Sequence, residues 1–465
     1  MKLFKISFII TILFSFFGCQ SIVEDINDVD PNKIATVSGE VLFTGIQLAD
    51  IAGQSGILSQ AGGVASGYFV GADRLNFIQN YEYINTDSNT PWNNIYQGVV
   101  KQARELRSGI DVPNKDFFYG ASKVLEAHAV GTAANIFGDV PFSEAANNDI
   151  PTPKYDGQVS VYMALQDLLD EAISDLQNAG TSGGIGEDIF FGGDSGNWIK
   201  TAYTLKARLY LDVRDYANAL SATQNGISSS TETMKYLPPN TLGADTNLLH
   251  EVITGSTSGG AIAANGSFLI DLLGTGSESR NNAKTNEVDR AAYYYDGTDI
   301  NDSGIAGVDE PMNQISLQEN LLIWAETSLR SSASNFDTAL MKLNEHRANL
   351  RNGVYFPVNT GVYDDYVEAD FLAGGIENAD SSLSKEDALL REIIEERYAT
   401  FFTTVLGFND LRRMKKDPVA IQVPVPFNVG SKHPERFLYP FDEENTNGAN
   451  VPEIADIFVK TAINQ

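Results

Sequence analysis

The sequence predicts a mainly α-helical protein: a scaffold of tetratricopeptide-like helix pairs, with long irregular loops and a few short strands. Three observations predict it. Apolar residues recur at helical spacing in several segments, and these segments fall in neighbouring pairs. Within pairs, bulky apolar residues on one helix face alanines and glycines on the next, which lets the two backbones approach. Between pairs lie stretches rich in Gly, Asn, Ser and Thr without any period, the longest at about 230–315.

Taken in order, the chain opens on MKLFKISFIITILFSFFG. Lys2 and Lys5 give a positive start, Ile6–Phe17 is an apolar run short for a membrane span, and Gly18 precedes Cys19. Residues 1–18 therefore read as a secretory signal peptide, and Gly18-Cys19 fits a bacterial lipoprotein cleavage site, with Phe17 bulkier than usual before it. Cys19 is the only cysteine in 465 residues, which makes it the expected lipidation site and rules out an internal disulfide or a cysteine-built metal cage. Two or more acyl chains there would hold the protein stably on a bilayer, where one chain would not. Residues 19–37 read as a lipidated tether, and 38–465 as one helical domain.

A first helix is expected at about Gly39–Ala52. Residues 53–91 are Gly-rich and carry Tyr68, Phe69, Phe77, Tyr81 and Tyr83, with Tyr81-Glu82-Tyr83 fitting a short strand. From Trp92 to Phe142 the pattern is a helical hairpin. Ile95, Val99, Ala103 and Leu106 recur at helical spacing in its first arm. The second arm is rich in small residues, Ala121, Ala127, Ala129, Gly131, Ala133 and Ala134, and stops at Gly138 and Pro141. VYMALQDLLDEAISDLQNA then puts Val161, Leu165, Leu168, Ala172 and Leu176 on one face. Beyond Gly180–Gly196 a further pair follows, NWIKTAYTLKARLYLDV with DYANALSATQNGI. After the aperiodic middle come QENLLIWAETSLRSS paired with NFDTALMKLNEHRANLR, loops at 352–383, and the amphipathic SKEDALLREIIEERYATFF. Trp92, Trp198 and Trp324 fall on or at helices and read as core.

Composition bounds the function. There are 32 basic and 61 acidic residues, net −29; loss of Lys2 and Lys5 with the signal peptide leaves 30 against 61, net −31. Nucleic acid is excluded as a partner because phosphate binding needs a basic footprint. A strongly anionic polysaccharide is disfavoured unless a metal or a local basic patch intervenes.

Trp92-x-x-Ile95-Tyr96 followed by Ile136-Phe137-Gly138-Asp139-Val140-Pro141-Phe142 resembles the early part of the SusD/RagB family, outer-membrane lipoproteins of Bacteroidetes. The later chain strengthens the resemblance. Glu396-Arg397, Phe401, Gly407, Asp410-Leu411-Arg412-Arg413, Arg436, Tyr439-Pro440, Glu443 and Asn447 match the family's late segments in order. The resemblance implies a SusD-like helical fold and a surface-exposed outer-membrane location, to which the acidic Glu24 and Asp25 after the lipid cysteine also correspond. It further implies capture of a glycan for a SusC-like TonB-dependent transporter, with no bond broken. Residues 230–315 carry little of the signature and are where specificity would vary. A peptide-capturing or structural lipoprotein and a surface glycoside hydrolase are the alternatives.

No His-Glu-x-x-His, Walker loop, G-x-G-x-x-G or G-x-S-x-G pattern is present. His128, in an Ala-rich helix, reads as packed. Acidic pairs are so common that none singles out a glycosidase dyad. Sugar binding calls for loop aromatics that stack on a ring, and two clusters qualify: Tyr68, Tyr81 and Tyr83, and Tyr293 and Tyr295 of DRAAYYYDG. No cofactor is required. Asp299, Asn301, Ser303 and Glu310 have the spacing of a Ca²⁺ loop, with Gly304 at the turn, so this segment could hold Ca²⁺, although Pro311 follows at once and the flanks do not suit an EF-hand. The basic run Arg412, Arg413, Lys415, Lys416 ends a helix whose start is acidic; it complements the helix dipole and needs no ligand.

Overall fold

A computed structural model describes residues 38–239, 246–255, 259–332 and 334–465. The signal peptide, Cys19 and the tether lie outside the described residues. The architecture is the expected helical scaffold with short strands only.

The first helical run is longer than its sequence pattern suggests. Helix α1 (Gly39–Ser55) breaks at Gly56, and α2 (Ile57–Ala65) follows at once. The first arm of the hairpin, α3 (89–107), is α-helical at Asn89–Asn93 and Lys101–Arg107 and π-helical at Asn94–Val100. Ile95, Val99, Ala103 and Leu106 are all buried, as their spacing requires. The second arm, α4 (Lys115–Phe137), is the centre of the molecule, buried on almost every face, and it packs against α1, α3, α5 (Gln158–Ala179) and α6 (Ser195–Asp212). Its small residues make this possible. A Cβ on Gly120 would lie 2.6 Å from Leu176 of α5, and one on Gly131 2.8 Å from Leu209 of α6. The helix ends at Gly138, in the left-handed region at φ +93°. On α5 the buried stripe is Val161, Leu165, Leu169, Ala172, Ile173 and Leu176; Leu168 is only half-buried and Leu169 takes its place.

Helices α6 and α7 (Tyr216–Thr223) form the next pair, and α7 leads across to α11 (Leu317–Arg330), which pairs with α12 (Phe336–Arg351). Between them lie three short helices, α8 (Leu248–Thr254), α9 (Phe268–Leu273) and α10 (Val288–Tyr294). The strands are brief and antiparallel. β1 (Val70–Gly71) pairs with β3 (Ile262–Ala263), β2 (Met234–Tyr236) with β7 (Met312–Ile315), β4 (Thr285–Asn286) with β8 (Val362–Tyr363), and β5 (Tyr295–Asp296) with β6 (Asp299–Ile300). No strand forms at Tyr81–Tyr83, because Tyr81 takes φ +59° in a tight turn. Trp92 and Trp198 are buried, whereas Trp324 is half-exposed with the Lys342 ammonium 3.9 Å above its ring.

Helices α13 (Lys385–Thr400) and α14 (Leu406–Arg413) bring the late motif residues inside, where they bind the chain to itself. Glu396 is buried and meets Arg280 and Arg290 at 2.7 Å and His346 at 2.9 Å. Arg397 and Arg413 both clasp Asp410, and Arg413 also reaches Glu326 of α11 at 2.6 Å. Burial alone would raise the Glu326 carboxyl, but Arg413, Arg330 and Arg397 outweigh it and hold the group well below the usual carboxylate range. Arg412 donates to the carbonyls of Asn135 (2.9 Å) and Glu435 (3.2 Å), Tyr439 to the Asp139 carbonyl (2.7 Å) and Asn447 to the Pro153 carbonyl (2.8 Å). A Cβ on Gly407 would lie 2.3 Å from the Tyr68 ring. The basic run therefore does more than complement a dipole: its two arginines are buried lattice points of the fold.

Candidate functional site

The aperiodic middle, the end of α13 and the start of α2 enclose a cleft of about 290 Å³. A shallower hollow continues it outward, sharing Tyr293, Glu310, Val354, Tyr355 and Phe356. The β2–β7 ladder forms one wall, α10 and the 353–356 turn another, and the joint between α13 and α14 a third.

Each wall sets a particular chemistry. On the second wall the Tyr293 ring stacks on Phe356, centroids 5.5 Å apart and planes 20° from parallel. Its hydroxyl donates to Glu310 Oε1 at 2.6 Å; burial first, then this carboxylate, holds the phenol far above its ordinary range, so it stays a donor. On the ladder, Gln314 Nε2 donates to Ser55 Oγ at 2.9 Å and to the Met312 carbonyl at 3.3 Å. A carbonyl only accepts, so this fixes the amide orientation and leaves Gln314 Oε1, buried, without a donor among the described residues. Glu319 is neutralised: both its oxygens accept from Arg208, at 2.5 and 2.7 Å. Lys235, opposite Asn313 in the ladder, is half-buried and has no ion-pair partner among the described residues. On the third wall Thr403 stands at φ +71°. A β-branched residue in the left-handed region is strained, and strain of this kind gathers at binding sites.

Of the tyrosines singled out in the sequence, Tyr293 lines the cleft and the other four do not. Tyr68 is fully buried, its ring tilted against Tyr398 (4.7 Å, 40°) and its hydroxyl donating to the Tyr398 carbonyl at 2.7 Å. Tyr83 is buried against Phe437 (4.6 Å, 23°). Tyr295 is buried against Phe402 (5.5 Å). Tyr81 is half-buried, its ring edge-on to Phe458 and its hydroxyl accepting from the Asn428 backbone at 3.1 Å. For these the packing role displaces the ligand role: a buried tyrosine with a satisfied or enclosed hydroxyl offers no face to a sugar.

The expected Ca²⁺ residues are placed as follows. Asp299 lies on β6 across from Asp296. Asn301 donates to the Ala292 carbonyl at 2.8 Å and accepts from the Ser303 backbone at 2.9 Å, while Glu310 takes the Tyr293 hydroxyl. These oxygens brace the hairpin and the cleft wall. Among the described residues no three His, Cys, Asp or Glu side chains gather as a metal set. His128 is buried in α4 with Nδ1 2.9 Å from Asp50 Oδ2, as a packed histidine. Lys235, Gln314 and Thr403 carried no signal in the sequence: the first two sit in short strands without a motif, and a backbone angle leaves no trace in residue type.

Helix pairs supporting a loop-built, polar cleft define a tetratricopeptide-like scaffold protein. Residues 31–241 match the SusD-like family described as starch-binding and associating with the outer membrane. No curated protein matches the sequence. Solved structures share the fold across about nine-tenths of the chain. A SusD/RagB family protein from Bacteroides thetaiotaomicron has a TM-score of 0.62 at 19% identity, covering 89% of this chain and 95% of its own. A chitin-binding SusD homologue from Flavobacterium johnsoniae has 0.66 at 17%, covering 91% and 98%. A SusD homologue from Bacteroides fragilis has 0.68 at 16%, covering 92% and 100%. The chain thus matches the SusD-like family model over residues 31–241 and shares the SusD/RagB fold along about nine-tenths of its length.

Proposed function

We propose that the protein captures oligo- or polysaccharide at the cell surface, anchored by lipid on Cys19, and delivers it to a SusC-like TonB-dependent transporter. The cleft carries this reading. The Tyr293 and Tyr355 rings supply apolar faces, while Gln314, Asn313, Lys235 and Glu310 supply the donors and acceptors that sugar hydroxyls need. The starch-binding description of the family and the chitin-binding homologue support the same ligand class. Hydrolysis finds no support in the cleft, because Glu319 is tied to Arg208 and Glu310 to Tyr293, which leaves no free acid and base pair.

Native affinity electrophoresis of residues 20–465 in gels containing a panel of polysaccharides tests the proposal, with new reducing ends assayed in the same mixtures. Retardation by a glycan without hydrolysis supports it. Hydrolysis overturns the binding-only reading. Retardation by no glycan, with binding of peptides instead, overturns the ligand class.

A further inference from the structure

The charges of the cleft are unevenly settled. In a chain with 61 acidic residues against 32 basic, cations easily find partners, and several half-buried lysines do: Lys123 with Glu171 and Asp175, Lys284 with Asp370, Lys415 with Glu435. Among the described residues Lys235 has no such partner, although it lines the cleft together with two carboxylates. Those carboxylates are held elsewhere, Glu319 by the Arg208 guanidinium and Glu310 by the Tyr293 hydroxyl. Lys235 therefore brings to a partly desolvated cleft an ammonium without an ion-pair partner among the described residues, and there a charge-assisted hydrogen bond is stronger than in water.

Resting on the glycan reading above, we propose that the cleft selects a saccharide bearing a single carboxylate, of the uronic-acid type, with Lys235 as its counter-ion. The ligand is singly charged because the surroundings refuse more: the net charge of −29 repels a polyanion, and Glu310 flanks the same cleft. The inner cleft, about 290 Å³, is at the small end of the roughly 300–1,000 Å³ of small-molecule sites, so it takes one end of the saccharide while the outer hollow leaves room for the rest. Gln314 and Asn313 on the ladder wall line the same cleft with neutral amides, which suit the hydroxyls of such a sugar.

Matched pairs of disaccharides test this, each neutral sugar set against its C6-carboxylate form (cellobiose and cellobiouronic acid among them), titrated calorimetrically into residues 20–465. Lys235→Met and Lys235→Arg are measured beside the unmodified chain, with circular dichroism melts to verify folding. The expected result is tighter binding of the carboxylate member, lost by roughly ten-fold or more in Lys235→Met and retained in Lys235→Arg. Equal affinity for neutral and carboxylate members, unchanged by Lys235→Met, overturns the inference and leaves the glycan reading intact. Binding of peptides with no binding of any saccharide overturns both.

Discussion

Tyr68→Phe separates a packing tyrosine from a ligand tyrosine with the loss of one oxygen. The Tyr68 hydroxyl donates to the Tyr398 carbonyl at 2.7 Å, and the Tyr398 hydroxyl donates back to the Ser66 carbonyl at 2.7 Å. The two tyrosines thus join the end of α2 to α13 by reciprocal bonds in a fully buried place. Phenylalanine keeps the ring against Tyr398 and Phe402, so the packing survives. What is lost is one hydrogen bond, worth about 1 kcal/mol, and the Tyr398 carbonyl is left buried without its donor, for a total of about 1–3 kcal/mol. In a urea titration this moves the midpoint with the slope unchanged, since neither the native nor the unfolded surface is altered. Saccharide affinity is expected to stay the same. A variant as stable as the parent, yet ten-fold weaker for ligand, would refute the reasoning and return Tyr68 to the binding surface.

Asp212 of α6 is buried, and desolvation pushes its carboxyl up to about 6 despite Arg413 and Arg208 nearby. The folded state then holds its proton longer than the unfolded chain, so stability contributed below pH 4 is lost as pH rises through 6. The shift from 3.8 to about 6 bounds the loss at about 3 kcal/mol. Asp212→Asn should therefore melt higher than the parent at pH 7.5 and no higher at pH 4; a lower melt at both values would sink the account. Thr403→Gly relieves a left-handed β-branched residue and should gain about 0.5–1 kcal/mol net of glycine's added chain freedom, read by thermal melting, and no gain would mean that the turn holds no strain. The oxygens of Asn301 and Glu310 are engaged within the chain, so EDTA and added Ca²⁺ should leave the melting temperature and saccharide affinity unchanged; a Ca²⁺-dependent rise in melting would assign the Asp299–Glu310 loop to the metal.

Sequence made the scaffold readable where one side of a helix had to be apolar. The faces of α5, α11 and α13 follow from their period, and the small residues of α4 announced the close approach of α5 and α6 that Gly120 and Gly131 permit. It was silent where backbone geometry decides. The π-helical turn at Asn94–Val100 lies where Gly98 passes Ala49, and a Cβ on Gly98 would come within 2.6 Å of that methyl. The tyrosines misled for a chemical reason: an amphipathic ring meets a buried carbonyl as readily as a sugar, and residue type alone does not distinguish the two. The motif residues that carried the resemblance, from Glu396 to Asn447, mostly bind the chain to itself. They name the fold, and the cleft owes its character to unmarked positions such as Lys235 and Gln314.

The bonds that the late residues make with α4 have a consequence for biogenesis. Phe437 N bonds the Ile136 carbonyl, Tyr439 the Asp139 carbonyl and Ile463 N the Gln158 side chain, contacts that span about 300 positions of sequence. Such distant closures are slow, since the intervening chain must be ordered before they form. A nascent chain stalled before residue 435 would therefore leave the far end of its central helix unclosed, so the scaffold is completed only when the last thirty residues have emerged.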